Sequence, residues 1–331
     1  MAFKRKLGRS GIEVSALGMG CWAIGGPFWS DDTPLGWGEV DDRESIRAIH
    51  AALAKGVNFF DTADVYGAGH SERVLAEALK GRRGEVVIAT KFSNQFDEET
   101  RQVTGNSADP DHIRKACEAS LNRLNTEYID LYQFHDNGYP SDQAELVRDA
   151  LEGLVKAGKV RAYGWSTDFP DRAAVFAKGE HCSAIQLQLN VLDDNPEVID
   201  LCERHNLAAI NRGPLAMGLL TGKYTATTAP SSDDVRGERS PEWMKYFKDG
   251  KPNPDWLEKR DSIREILTSG GRSLAQGALA WLWARSETTI PIPGFRTVAQ
   301  VEDNCGALMH GPLNADQMAE INSILDRNKS A

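Results

Sequence analysis

The chain has 331 residues, and its 48 Asp and Glu residues outnumber its 38 Lys and Arg residues, which gives a formal net charge of −10. Hydrophobic residues make up 41% and charged residues 26%, a globular balance that excludes a disordered or collagen-like chain. No apolar run approaches the ~20 residues that span a bilayer, and the acidic balance argues against a nucleic-acid-binding face. Five widely spaced cysteines without a paired framework indicate a reduced setting, so we expect a cytoplasmic protein.

Short apolar runs alternate with amphipathic patterns along nearly the whole chain. Strands are predicted at 17–21, 57–63, 85–91, 128–135, 160–166, 184–190, 207–211 and 288–294. Helices are predicted to begin near Ser45, Ser71, Asp111, Asp142, Asp171, Pro196, Leu274 and Thr297. Eight strand–helix units in alternation predict one α/β domain over residues 1–331, folded as a (β/α)8 TIM barrel. A doubly wound open sheet would need an early glycine-rich phosphate turn followed by a helix, which this chain lacks.

Three segments fall outside the repeating units. Residues 3–15 predict an N-terminal β-hairpin that plugs the bottom of the barrel. Residues 25–40 form an aromatic loop, and residues 225–256 form a long polar loop. Because loops of this length in a compact barrel usually carry function, we expect both to cover a substrate site.

Polar residues stand at the ends of successive predicted strands, where a barrel gathers its active site. Asp61, Lys91 and His135 are three of them, and Tyr66 follows Asp61 closely. A phenol near its usual pKa of ~10 is a poor acid unless a neighbouring ammonium stabilises its anion, and a carboxylate keeps that ammonium charged. With His135 to orient a carbonyl oxygen, this set predicts proton donation during carbonyl reduction by a hydride-carrying cofactor.

The segment DTADVYGAGHSE at 61–72 resembles the D-x-A-x-x-Y-G signature of the aldo-keto reductases. ATK, QFH, GWST, GPLAMGLLTGKY and IPIPGFRTVAQVEDN follow in the family's order and spacing, at 89–91, 133–135, 164–167, 213–224 and 290–304. The resemblance spans about residues 7–325 and implies an NAD(P)H-dependent oxidoreductase. The aromatic loop and the glycine-rich segment resemble bacterial members near the stress-protein and potassium-channel β-subunit branches.

The resemblance implies that Tyr66 is the general acid, that Asp61 and Lys91 tune it, and that His135 positions the carbonyl. It also implies three groups of cofactor-binding residues: Ser166, Thr167, Gln186 and Arg212 around the nicotinamide; Gly213, Pro214, Leu215, Gly218, Leu220, Gly222 and Lys223 around the pyrophosphate; and Gly294, Arg296, Gln300 and Asn304 after the last strand. Since a planar guanidinium pairs well with phosphate, Arg296 favours NADPH over NADH.

Two positions depart from the family pattern. Thr167 replaces the usual Asn, and its hydroxyl can still donate one hydrogen bond. Arg212 stands where many members have a Tyr that stacks on the nicotinamide. Because oxidation makes that ring cationic, a guanidinium there predicts weaker binding of the oxidised cofactor than of the reduced one. A contact between Arg212 and the substrate is the alternative.

The predicted substrate wall consists of loop 225–256 together with the aromatic residues Trp22, Phe28, Trp29 and Trp37. A broad aromatic mouth suits a bulky or cyclic ketone better than a small aldehyde. Two other functions stay open: a cofactor-sensing regulatory subunit with little turnover, and a barrel lyase with a Schiff base on Lys91. The histidines show no HxH or HExxH spacing, so no metal site is predicted. We expect a small-molecule carbonyl substrate, no nucleic-acid or membrane partner, and a monomer or homo-oligomer.

Overall fold

A computed structural model describes residues 3–327, so the ends of the predicted 1–331 domain, residues 1–2 and 328–331, lie outside the described residues. Eight parallel strands form its centre: β1 (Met19–Gly20), β2 (Phe59–Asp61), β3 (Val87–Phe92), β4 (Ile129–Phe134), β5 (Val160–Ser166), β6 (Cys182–Gln188), β7 (Ala208–Arg212) and β8 (Thr289–Pro291). Each strand pairs with the next in chain order. The sheet closes where Gly20 donates to the Pro293 carbonyl at 3.0 Å, just beyond β8. The predicted (β/α)8 barrel is confirmed.

Alternate residues of the strands fill the barrel. They form one hydrophobic cluster, which contains Phe59, Val87, Ala89, Leu131, Ala162, Ala184, Ala208, Ile210 and Ile290. Leu7 and Val14 belong to the same cluster. They come from the N-terminal hairpin, in which Lys4–Lys6 pairs antiparallel with Glu13–Ser15. Since Arg9 beside it donates to the carbonyl of Cys182, the first residue of β6, at 2.6 Å, the hairpin closes the amino-terminal end of the barrel.

Helices surround the strands: α1 (Asp42–Ala54), α2 (His70–Ala78), α3 (Pro110–Leu124), α4 (Ala144–Lys156), α5 (Pro170–Ala177), α6 (Pro196–His205), α7 (Pro254–Ser262), α8 (Arg264–Thr268), α9 (Leu274–Arg285), α10 (Val298–His310) and α11 (Ala315–Ile324). The side chains of Asp41, Asp109, Asn195 and Thr297 accept N–H groups of the first turns of α1, α3, α6 and α10. Helices α7, α8 and α11 were not predicted, and the predicted loop at 225–256 is too long at its end, because α7 begins at Pro254. The first two interrupt the β7–β8 connection, and α11 follows the last repeating unit, so the alternation of strand and helix does not indicate them.

The two long loops meet over the carboxyl-terminal ends of the strands. Val235 of the loop at 225–256 donates to the carbonyl of Gly36, in the loop at 25–40, at 2.7 Å. The guanidinium carbon of Arg236 lies 4.3 Å from the centre of the Trp37 ring. Short antiparallel hairpins are Trp29–Ser30 with Thr33–Pro34, Asn94–Phe96 with Val103–Asn106, and Phe247–Lys248 with Lys251–Pro252.

The part of the chain that the structure describes contains no helix with both the length and the apolar character needed to cross a lipid bilayer. All five cysteines in this part are free thiols and buried. Burial raises the pKa of Cys305 to about 11, so this thiol is protonated and unreactive at neutral pH.

Candidate active site

A buried ammonium group lies at the carboxyl-terminal end of the barrel. Lys91 on β3 is fully buried, and its Nζ donates to Asp61 Oδ1 at 2.6 Å and to the Thr62 carbonyl at 2.8 Å. A third bond reaches the hydroxyl oxygen of Tyr66 at 3.2 Å. Burial lowers the pKa of Lys91, but Asp61 and Tyr66 outweigh burial and hold the pKa above its ordinary value. Lys91 is therefore a cation at neutral pH, which disfavours the Schiff-base alternative.

Two buried amide groups complete the environment of Asp61 at the end of β2. Asp61 Oδ2 accepts Nε2–H of Gln133 at 2.9 Å and of Gln186 at 2.8 Å. With Lys91, they supply three donors to a carboxylate that is only 2% exposed, which satisfies it as an anion. Gln133 was not selected from the sequence. Its signal is a polar side chain inside the apolar strand β4, two residues before His135.

Tyr66 lies on the loop after β2, where glycines allow two backbone segments to approach. Gly67 has φ +62°, and a Cβ there would lie 1.8 Å from the carbonyl oxygen of Gly25, so only glycine fits. The Tyr66 ring stacks on Trp22, with centroids 5.9 Å apart and ring planes 21° apart. Burial raises the pKa of Tyr66, and the charge of Lys91 offsets this only in part. Tyr66 is thus a neutral phenol with a cation beside its oxygen.

His135 follows β4 and stands edge-on to the phenol. The centroids of its ring and the Tyr66 ring are 5.9 Å apart, with the planes at 85°. Burial lowers the pKa of His135 well below its ordinary value, and the charges of Lys91 and Arg212 lower it further. The imidazole is therefore neutral at neutral pH and carries one N–H. Its Nδ1 is buried and has no hydrogen-bond partner among the described residues.

One cavity of about 1080 Å³ connects these groups with most of the other predicted site residues. The predicted residues that line it are Trp22, Phe28, Trp37, Asp61, Tyr66, His135, Ser166, Gln186, Arg212, Gly213, Pro214, Leu215, Gly218, Gly222, Lys223, Gly294, Arg296, Gln300 and Asn304. Lys91 does not line the cavity, but its Nζ contacts the hydroxyl of Tyr66, which does. Trp29, Thr167 and Leu220 are outside the lining.

Ser166 and Thr167, neighbours at the end of β5, have different surroundings. Ser166 lines the cavity, and its hydroxyl makes no hydrogen bond to any residue that the structure describes. The Thr167 hydroxyl donates to the Asn137 carbonyl and accepts from Phe169 N–H, both at 3.3 Å. The Ser166 hydroxyl is therefore available to a ligand, whereas the Thr167 hydroxyl stabilises the turn that follows β5.

Arg212 at the end of β7 forms an ion pair with Asp168 across the cavity wall. Its Nη1 also donates to Gln188 Oε1 at 3.2 Å. Asp168 is itself fixed, because its Oδ1 accepts Gln188 N–H at 2.7 Å and its Oδ2 accepts Asn137 Nδ2–H at 3.1 Å. Asp168 was not selected from the sequence, although it directly follows the GWST segment.

The glycine-rich segment after β7 turns sharply along the cavity. Gly213 has φ +60°, and a Cβ there would lie 2.6 Å from the Gln188 side chain. Met217 and Gly218 also have positive φ, which breaks the short helical turn Ala216–Thr221. Lys223 lies at the cavity edge. The segment therefore presents backbone and one cation to the cavity.

The far end of the cavity is formed by the start of α10. The Arg296 guanidinium donates to the carbonyls of Trp37, at 2.9 Å, and of Glu39. Arg296 N–H donates to Gln300 Oε1 at 2.7 Å, and Asn304 Nδ2 lies 3.5 Å from the Gly294 carbonyl. This end thus combines a guanidinium with two side-chain amides.

Aromatic rings form the wall next to Tyr66. The ring centroids of Trp22 and Trp37 are 5.3 Å apart, and Trp243 lies 6.3 Å from Trp22. Trp243 belongs to the loop at 225–256 and is 57% exposed. Trp29 instead joins the outer hairpin, where its N–H donates to the Arg101 carbonyl at 3.1 Å.

Within residues 3–327, no group of three or more His, Cys, Asp or Glu side chains is arranged to hold a metal ion.

The model of the Aldo/keto reductase family matches residues 16–326, so the chain belongs to this family and is an NAD(P)H-dependent enzyme. Aldo-keto reductase YhdN from Bacillus subtilis is 32% identical over 97% of this chain and 93% of that protein. Aldo-keto reductase yakc from Schizosaccharomyces pombe is 31% identical over 92% and 86%. The solved glycerol dehydrogenase AKR11B4 from Gluconobacter oxydans is 30% identical, with a TM-score of 0.82 and coverage of 100% and 97%.

Replacing Asp61 by Asn leaves the buried ammonium of Lys91 without its counter-ion. We expect Asp61→Asn to lose about 3–5 kcal/mol of unfolding free energy, because an uncompensated buried charge is costly. The double variant Asp61→Asn/Lys91→Met removes both charges and should recover most of this loss. Denaturant midpoints at pH 7 measure both effects.

The matched control is Asp149→Asn, which breaks an exposed ion pair with Arg148 and should change the unfolding free energy by less than about 1 kcal/mol. If Asp61→Asn were as stable as the unmodified chain, Asp61 would not be needed to compensate the buried charge of Lys91.

Proposed function

We propose that the chain is an NADPH-dependent carbonyl reductase that acts on an aldehyde or, preferentially, on a bulky or cyclic ketone, with Tyr66 as proton donor. The observation that carries this proposal is the buried Lys91 ammonium, which contacts both Asp61 and the Tyr66 hydroxyl. The nicotinamide cofactor supplies a hydride to the carbonyl carbon when it is bound. The carbonyl oxygen takes its proton from the Tyr66 hydroxyl.

Proton transfer converts the Tyr66 phenol to a phenolate, and Lys91 stabilises that anion from 3.2 Å. Asp61 keeps Lys91 charged and aimed at the phenol oxygen. His135 is neutral and can donate its single ring N–H to the carbonyl oxygen, which orients the carbonyl and favours the negative charge that develops on it. Each residue thus has one task in the proton transfer.

Groups along the cavity support binding of the cofactor. The Ser166 hydroxyl and the side-chain carbonyl of Gln186, neither bonded to another described residue, match the donor and acceptor of a carboxamide. The turn at 213–223 allows a pyrophosphate to approach the backbone closely. The name of the Schizosaccharomyces pombe relative specifies NADP(+). Together with the Arg296 guanidinium at the far end, this name favours NADPH over NADH.

The shape of the wall supports a ring-containing substrate. Trp22, Trp37 and Phe28 present apolar faces beside Tyr66, and Trp243 extends this wall toward solvent. A cavity of about 1080 Å³ leaves room for a substrate beside an extended cofactor. Flat or cyclic ketones gain most from such a wall, because aromatic faces bury their apolar surface.

Tyr66→Phe removes the proton donor and leaves the ring stack with Trp22. We expect the rate of carbonyl reduction to fall by about 10²–10⁴-fold, the usual contribution of a general acid. The affinity for NADPH should stay within about twofold. Loss of NADPH absorbance with a panel of aldehydes and cyclic ketones measures the rate, and titration calorimetry measures the affinity.

Tyr128→Phe is the matched control, because Tyr128 precedes β4 at the opposite end of the barrel, and it should keep full activity. Activity that survives in Tyr66→Phe would refute the assigned proton donor. If the unmodified chain binds NADPH tightly but reduces no carbonyl, the cofactor-sensing regulatory subunit becomes the better description.

The ion pair with Asp168 changes what is expected of Arg212. An isolated guanidinium would disfavour an oxidised, cationic nicotinamide. The Asp168 carboxylate offsets most of this charge, because it pairs with the guanidinium directly. The preference for the reduced cofactor is therefore kept small by Asp168 and should grow when that carboxylate is neutralised.

Asp168→Asn should raise the ratio of the dissociation constants of NADP⁺ and NADPH about fivefold, since one uncompensated charge at this range is worth roughly 1 kcal/mol. Arg212→Tyr should lower the same ratio below that of the unmodified chain. Asp171→Asn, an exposed neighbour on α5, serves as control. A ratio that is unchanged in both Asp168→Asn and Arg212→Tyr would show that this charge does not act on the nicotinamide.

A further inference from the structure

The first backbone N–H of α10 donates to a carboxylate that belongs to another helix. Glu44 lies in the first turn of α1, and its Oε1 accepts the backbone N–H of Val298, the first residue of α10, at 2.9 Å. Glu44 Oε2 forms an ion pair with Arg47 one turn further along α1. The Val298 N–H and Arg47 lower the pKa of Glu44, so this side chain is an anion at neutral pH.

The neighbouring guanidinium is also engaged by the protein's own oxygen atoms. Arg296 directly precedes Thr297, the cap of α10, and its two terminal nitrogens donate to the carbonyls of Trp37 and Glu39 in the loop at 25–40. Both groups that favour an anion at this end of the cavity, the helix N-terminus and the guanidinium, therefore already have oxygen partners.

A second anion at this place meets an energetic obstacle. A 2′-phosphate carries close to two negative charges and gains most from free N–H groups and an available guanidinium. Here it would approach the carboxylate of Glu44, whose charge Arg47 offsets in part, and would compete with two carbonyls for Arg296. An adenosine whose ribose has a free 2′-hydroxyl meets no such repulsion.

We propose that Glu44 is a specificity-determining residue. Its carboxylate accepts the first backbone N–H of α10, where it limits the preference of the enzyme for NADPH over NADH. This inference rests on the proposed function, in which the adenosine end of the cofactor lies against Arg296, Gln300 and Asn304. Arg296 attracts the 2′-phosphate and Glu44 repels it, so the balance between the two side chains sets the cofactor choice.

Two nucleotide fragments test this inference without any catalytic step. Adenosine 2′,5′-bisphosphate and adenosine 5′-monophosphate differ only in the 2′-phosphate, and titration calorimetry gives both affinities. In Glu44→Gln we expect adenosine 2′,5′-bisphosphate to bind about fivefold more tightly, the effect of one nearby surface charge. The affinity for adenosine 5′-monophosphate should stay within about twofold of that of the unmodified chain.

Two further variants separate charge from structure. Glu44→Asp keeps the charge and should show no gain, whereas Glu302→Gln removes an exposed charge on α10 that has no bonded partner among the described residues and should change neither affinity. Thermal unfolding checks that each variant folds. A gain in Glu44→Gln that exceeds the change in both controls supports the assignment.

Equal affinities for adenosine 2′,5′-bisphosphate in Glu44→Gln and the unmodified chain overturn the inference and leave the proposed reductase function intact. If neither fragment binds any variant, the adenosine end does not lie at Arg296, and both the inference and the proposed cofactor placement fail. Competition with full-length NADPH and NADH then shows whether the cavity binds dinucleotides at all.

Discussion

The buried contact between Lys91 and Asp61 is the interaction on which the rest of the site depends. Two charges removed from water need complete sets of partners, and this pair has them: Thr62 and Tyr66 on the lysine side, and two glutamine amides on the aspartate side. The pair and its partners come from β2 and the loop after it, β3, β4 and β6, so the barrel is needed to bring them together. The same requirement therefore constrains the fold and the chemistry.

Charge compensation recurs along the cavity. Arg212 is paired with Asp168 near the phenol, and Arg296 is held by loop carbonyls at the far end, with Glu44 on the adjoining helix turn. Both guanidinium groups that would attract part of the cofactor thus also contact oxygen atoms of the protein. A cofactor phosphate or nicotinamide must therefore compete with oxygen atoms of the protein for these guanidinium groups. Replacing one acidic side chain should accordingly alter which form of the cofactor binds most tightly.

The sequence was sufficient to predict the barrel and the end of it at which the polar strand ends meet. The strands end in polar residues, and in a parallel barrel these ends share one rim, so Asp61, Lys91 and His135 could be placed together without coordinates. Asp168 and Glu44 could not, because their partners lie 44 and 254 residues away and no local pattern records such pairs. Trp29 shows the opposite limit: its aromatic side chain suggested the cavity wall, but in the structure Trp29 belongs to a short hairpin and is outside the cavity lining.

The proposed chemistry requires Tyr66 to be a neutral phenol whose anion Lys91 stabilises. The most direct test is a spectroscopic pH titration of the cofactor-free protein, in which the phenolate absorbance of Tyr66→Phe is subtracted from that of the unmodified chain. We expect Tyr66 to ionise at a higher pH than an ordinary tyrosine, because burial raises its pKa beyond what Lys91 offsets. In Lys91→Met the ionisation should move to still higher pH. Ionisation of Tyr66 near neutral pH, or a titration that Lys91→Met leaves unchanged, would show that Tyr66 is not a neutral phenol whose anion depends on Lys91.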